Sequence, residues 1–330
     1  MAIQRALRLS AYAGITASPD VAEQLHDEIV RLSHEYPHSP TAVIIGELTQ
    51  LQGIAFSLTE RDPNPSRKRE LYFLSGVVSG LLAEANEDLG NFSASRVHAR
   101  TAYICAEQAD HHALRGWARF QQMNTAFWSG SYQEAIEFAD RCETFIGGVS
   151  GDGRARIYAT KARALAAVQD IDGARAALEL ADRAREEAVP DLVDEIGGHV
   201  SYPYARQLYH TANVLLASRG RAVEAESAAG RALDACAAAE APDRSYIWES
   251  TCRVDLATAR LLRGDADGAV VALGPVLALP PAQRAENLRT SLQKAHRLLT
   301  QPRLVASPLA RDTRLEIEEF CQFTVRTGLS

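Results

Sequence analysis

Apolar residues recur at i, i+3, i+4 and i+7 through long windows of the chain. The strict alternation that marks half-buried strands is absent. The pattern predicts helix almost throughout. It breaks at short stretches rich in Gly, Pro, Asp and Ser, at residues 14–19, 37–40, 62–66, 147–153, 190–203, 241–243, 280–281 and 302–308. Between the breaks lie about fifteen helices, mostly of ~12–22 residues. That is too many for one bundle and suits a stack of antiparallel helical hairpins.

An internal repeat supports the stack. Gly90-Asn91-Phe92, Gly130-Ser131-Tyr132, Gln169-Asp170-Ile171, Gly220-Arg221-Ala222 and Gly264-Asp265-Ala266 each fall between two helices, at spacings of 40, 39, 51 and 44 residues. Five residues after each anchor stands a small residue: Ser95, Ala135, Ala174, Ala225 and Ala269. Glycine lets the chain reverse at positive φ. The residue two positions on is placed to fill the gap between the helices, and the small residue lets them approach. Gln169 replaces glycine in the third unit, so its turn departs from the pattern.

These features resemble the tetratricopeptide repeat (TPR), most clearly at Gly130-Ser131-Tyr132-Gln133-Glu134-Ala135-Ile136, although the spacings exceed that family's 34. Further strings include Arg67-Lys68-Arg69-Glu70-Leu71-Tyr72-Phe73-Leu74, Tyr202-Pro203-Tyr204-Ala205-Arg206-Gln207-Leu208-Tyr209, and Asp243-Arg244-Ser245-Tyr246. Over roughly residues 20–325 they look like the TPR part of actinobacterial regulators of the XRE helix-turn-helix class. The resemblance implies an all-α, TPR-like α-solenoid, a right-handed superhelix with a concave groove. Residues 1–66 would be N-terminal capping helices, 67–281 five divergent hairpins, and 282–330 a C-terminal cap, with Leu315, Ile317 and Phe320 on a helix over 308–324.

Regulators of that class carry an N-terminal helix-turn-helix. Here Ser10-Ala11-Tyr12-Ala13-Gly14-Ile15-Thr16 is a faint match to its turn. The segment that follows, residues 20–28, carries Asp20, Glu23, Asp27 and Glu28 and no Arg or Lys, so it would repel phosphate. The expectation is no direct nucleic-acid contact by this chain. It is then either the sensor half of a longer regulator or a branch without the DNA-binding module.

Composition narrows the class. The 330 residues are 46% apolar and 23% charged, values of a folded globular chain. The net charge of −7 argues against a broad DNA-binding face. Lysine occurs only at positions 68, 161 and 294, leaving 32 arginines, a bias of GC-rich genomes. No apolar run approaches a membrane span and no signal peptide is evident, so a cytoplasmic protein is expected.

If helix A of each hairpin lines the groove, its inward positions are chemically uneven. Glu84 represents an acidic unit; Trp117, Phe120, Asn124, Phe127 and Trp128 an aromatic one; Arg156 and Arg163 a basic one; Gln207 and His210 a polar one. Ala166, Ala167, Ala217, Thr258 and Leu262 also fall at groove positions. Asn124 and Gln207 suit an extended peptide backbone, Arg156 or Arg163 a carboxylate, and Trp117 and Phe127 a pocket wall. Aromatics at this spacing equally suit the core between repeats, and the arginines equally suit pairing with nearby carboxylates.

No other chemistry finds a foothold. There is no G-x-S-x-G, phosphate loop, H-E-x-x-H or interpretable Cys/His pair. His34 and His38 are four apart, but Pro37 ends the helix between them. His111 and His112 read as surface capping, residues 147–153 as a flexible linker, and the five cysteines as reduced packing residues. The expectation is therefore a non-enzymatic regulatory protein without cofactor or metal. Its groove would bind a peptide, small molecule or protein partner, with a homodimer possible; the alternative is a passive scaffold.

Overall fold

The structure is a computed structural model and describes residues 19–149, 152–240, 244–305 and 308–322. The candidate DNA-binding turn at 10–16 and the break at 241–243 lie outside them. The described residues are overwhelmingly helical and include no strand. In chain order the helices are α1 (Pro19–Glu35), α2 (Thr41–Arg61), α3 (Pro65–Asp88), α4 (Phe92–Ala109), α5 (His112–Trp128), α6 (Tyr132–Asp140), α7 (Gly153–Ala167), α8 (Ile171–Glu186), α9 (Leu192–Ile196), α10 (Tyr204–Ala217), α11 (Ala222–Ala238), α12 (Tyr246–Arg263), α13 (Ala266–Leu277), α14 (Glu286–Leu299), α15 (Pro302–Val305) and α16 (Pro308–Gln322).

The turn chemistry is that of the repeat pattern. Gly90, Gly130, Gly220 and Gly264 all have φ between 74° and 85°, and Gln169 adopts φ 66° in the glycine's place. The next residue explains the Asn/Asp preference. Asn91, Asp170 and Asp265 each accept the backbone N–H three residues on, capping α4, α8 and α13. Ser95, Ala135, Ala174, Ala225 and Ala269 are wholly buried where paired helices approach. Of the expected linker over 147–153, Val149 is buried and packs on Gly116, while residues 150–151 lie outside the described residues.

Helices α3, α5, α7, α10, α12 and α14 each pack on the next, and α14 also touches α3. The inner helices thus make a closed circuit of contacts. α4, α6, α8, α11 and α13 each pack beside the inner helix that precedes them. The circuit has two fillings that the repeat pattern does not contain. One is the Tyr36–His38 turn after α1, which Pro37 helps to end. The other arises from the long third spacing, whose extra residues form α9 and a one-turn helix at Gly198–Val200. Ser33 Oγ on α1 donates to the Gly197 carbonyl (2.7 Å) and accepts from the Val200 amide (3.2 Å). Gly198 has φ 55° there, and a Cβ on it would lie 2.6 Å from the Ser33 carbonyl, so only glycine fits.

The largest apolar core joins α1, α2 and α3 to Trp117 and Phe120 of α5 and to Val193, Ile196 and Val200 of the insertion. α2 is long and apolar enough to cross a membrane, but Ile44, Leu48, Leu51, Ala55 and Leu58 are buried in this core. A second core holds Ile317 and Phe320 of α16 against α12, α13 and α14, while Leu315 faces solvent. All five cysteines are free thiols, and burial pushes Cys105 and Cys142 up to about 12, which suits packing. Cys252 packs against Ala232 and Leu233 of α11.

Candidate functional site

Nine of the ten residues expected in the groove, all but the half-buried Trp128, are buried inside the circuit. Among their polar side chains Arg163 bonds His210, and the others bond residues outside the expected set. On α3, Glu84, Glu87 and Asp88 point inward within one turn and a half. Glu84 accepts from Arg206 Nη2 (2.9 Å) and Gln121 Nε2 (3.2 Å), and His199 Nε2 stands 3.0 Å away. Burial pushes the Glu84 carboxyl up, but His199 and Arg206 outweigh it and hold the group well below the usual carboxylate range. With that charge in place, its neighbours are discouraged from ionising. Burial and the Glu84 charge raise Glu87 well above 4.5 and Asp88 to about 7. Asn124 donates to Glu87 (2.7 Å), and Tyr36 Oη donates to Asp88 (2.8 Å).

Aromatic rings separate the charges. Tyr36 stacks on His199 with centroids 3.9 Å apart, and His199 stacks in turn on Trp248. Arg206 and Arg156 each lie 5.1 Å from the Phe120 ring centroid. Arg156 donates to the Val200 carbonyl, fastening the insertion from the opposite side; burial lowers its guanidinium to about 10. Trp117 lies against Gly80, where a Cβ would come within 2.1 Å of the indole. Gln207 donates to Asp182 (2.7 Å) and accepts from Arg185. Trp117, Phe120, Asn124 and Gln207 therefore serve the interior, and the two arginines bond to neutral groups rather than to carboxylates.

The network runs on to the other mouth of the circuit. Tyr202 Oη lies 2.9 Å from His210 Nδ1, and Arg163 Nη1 lies 3.2 Å from His210 Nε2. Arginine only donates, so Nε2 is the acceptor, and Nδ1 carries the imidazole proton toward Tyr202. This fixes a neutral imidazole, in keeping with burial and Arg163, which hold His210 well below 6.5. Arg163 also donates from Nε to Asn213 (3.0 Å) and from Nη2 to Tyr209 (3.3 Å), and lies 4.1 Å from the Phe127 ring centroid. Asn213 passes a hydrogen bond to Asp255.

Here the interior opens. A pocket of about 390 Å³ lies between the C-terminal halves of α5, α7, α10, α12 and α14. Phe127, Arg163, Ala166, Ala167, Ala217, Thr258 and Leu262 line it, all at positions assigned to the groove from the repeat register. Leu216 and Leu298 extend its apolar wall. Asn213, Asp255, Ser291, Lys294 and Arg297 complete the polar side. The register did not find this last group. Lys294 and Arg297 lie on α14, beyond the last repeat, though the scarcity of lysine marked Lys294 as unusual. Tyr36 and His199 come from segments without any repeat register.

No group of three His, Cys, Asp or Glu among the described residues is placed to hold a metal. His111 caps α5 by accepting the Leu114 amide at Nδ1. No family model matches the chain, and no curated protein is similar to it.

Proposed function

We propose that the chain is a TPR-like α-solenoid that works as a regulatory binding protein, taking a small ligand on its inner face and acting through a protein partner. The observation that carries this reading is the pocket at the open mouth of the circuit. Its volume falls in the range of ligand sites, about 300–1,000 Å³, and it combines an apolar wall with a few convergent polar groups. Arg163 strengthens the reading. Among the described residues it is buried without a carboxylate partner, an arrangement that is costly unless something offsets the charge. The pocket touches five inner helices at once, so a ligand there would bias the packing of successive hairpins. The reading places the chain in the cytoplasm, without direct nucleic-acid contact, catalysis or cofactor, in keeping with the resemblance to XRE-class regulators.

Thermal unfolding against a panel of metabolites and short peptides tests this. A bound compound should raise the melting temperature of the native chain. The same compound should not stabilise an Ala217→Trp variant, whose indole fills the pocket. A chain that no compound stabilises, but that recovers one protein partner in pull-down, would be a passive scaffold instead.

A further inference from the structure

We infer that the inner-face pocket selects an amphipathic anion, an acidic head on an apolar body. The inference rests on the reading of this pocket as a ligand site and adds the chemistry it selects.

Its polar side carries three cations, Arg163, Lys294 and Arg297, against one carboxyl, Asp255. Arg163 makes three hydrogen bonds and has five N–H groups, so one N–H remains on each terminal nitrogen. Lys294 makes no hydrogen bond and no ion pair among the described residues. It lines the pocket in a chain whose only other lysines are Lys68 and the Asp140-paired Lys161. Its side chain is exposed to solvent, and the Asp255 charge favours its protonated form. A bound carboxylate would supply the partner that Lys294 lacks. The lining also includes Phe127, Leu216, Leu262 and Leu298, which carry no charge and would cover an alkyl or aryl body.

Asp255 does not cancel the three cations. Burial raises its carboxyl to about 7, so near neutral pH it is only partly ionised and the cations remain in excess. An ammonium head would meet the cations directly.

The test is calorimetric titration of the native chain at pH 7 with octanoate, octanol, octylammonium and octyl phosphate. Octanoate and octyl phosphate should each bind at least about tenfold more tightly than octanol and octylammonium, a difference of 1.4 kcal/mol. Lys294→Met should weaken octanoate about tenfold, and Lys294→Arg should restore most of it; octanol should bind all three proteins alike. Octanol or octylammonium binding as tightly as octanoate would overturn the head-group assignment while leaving a pocket that binds ligands. Octanoate that binds wild type and Lys294→Met equally would overturn it too. Failure of all four probes to bind would remove the ligand site itself.

Discussion

Asp88 is held at a cost that one substitution should relieve. Its carboxyl is wholly buried beside ionised Glu84 and is raised from 3.8 to about 7, while the Tyr36 hydroxyl bond works in the other direction. Between those two pH values the folded chain binds a proton that the unfolded chain has released. Stability therefore falls as pH rises from about 4 to about 7, and is level above. A shift of about three units at 1.36 kcal/mol each sets a ceiling near 4 kcal/mol, and relaxation should leave about 2–3 kcal/mol. Asp88→Asn keeps an acceptor for Tyr36 and removes the charge. Its amide also supplies a donor to Asn287, whose side chain already reaches Asp88 and whose carbonyl oxygen has no donor. In urea unfolding the variant should match wild type at pH 4 and exceed it by about 2–3 kcal/mol at pH 8. A variant less stable than wild type at pH 8, or one whose gain does not change with pH, would refute the reasoning.

Other sites follow the same physics. Glu84→Gln leaves Arg206 buried without its counter-charge and should cost about 3–5 kcal/mol in denaturant unfolding. Gly198→Ala forces a Cβ onto the Ser33 carbonyl at a positive φ; it should cost about 2 kcal/mol or more and speed amide exchange in α1. Gln169→Gly restores the residue that the third turn's φ of 66° favours, and should raise stability by about 0.5–1 kcal/mol despite losing a 3.3 Å bond to Ala166. Octanoate affinity should fall between pH 6 and 8 as Asp255 ionises among Lys294 of α14, Arg163 of α7, Asn213 and Tyr209 of α10 and Cys252 of its own helix. Asp255→Asn should flatten that fall, as read by calorimetry at each pH.

The repeat turns were legible in the sequence because each rests on local rules. A positive φ calls for glycine, a helix start for a capping Asn or Asp, and a close approach for a small residue five positions on. Those rules also placed Phe127, Arg163, Ala166, Ala217 and Leu262 on one inner face, which lines the pocket. What the inner face meets was not legible. Tyr36, His199 and Val200 fill the circuit from α1 and from the insertion behind the 51-residue spacing, and no periodicity reaches those segments. The return of α14 onto α3 joins Asn287 to Asp88 across 199 positions, beyond any local pattern. Glu84 and Asn124 thus became parts of the interior network, while Lys294, outside the repeats, came to face the pocket.

The most direct test of the central claim is a crystal structure of the native chain with octanoate. The account predicts the carboxylate between Arg163 and Lys294, with the alkyl chain along Phe127 and Leu262. Octanoate bound elsewhere, with the pocket holding only solvent, would contradict it.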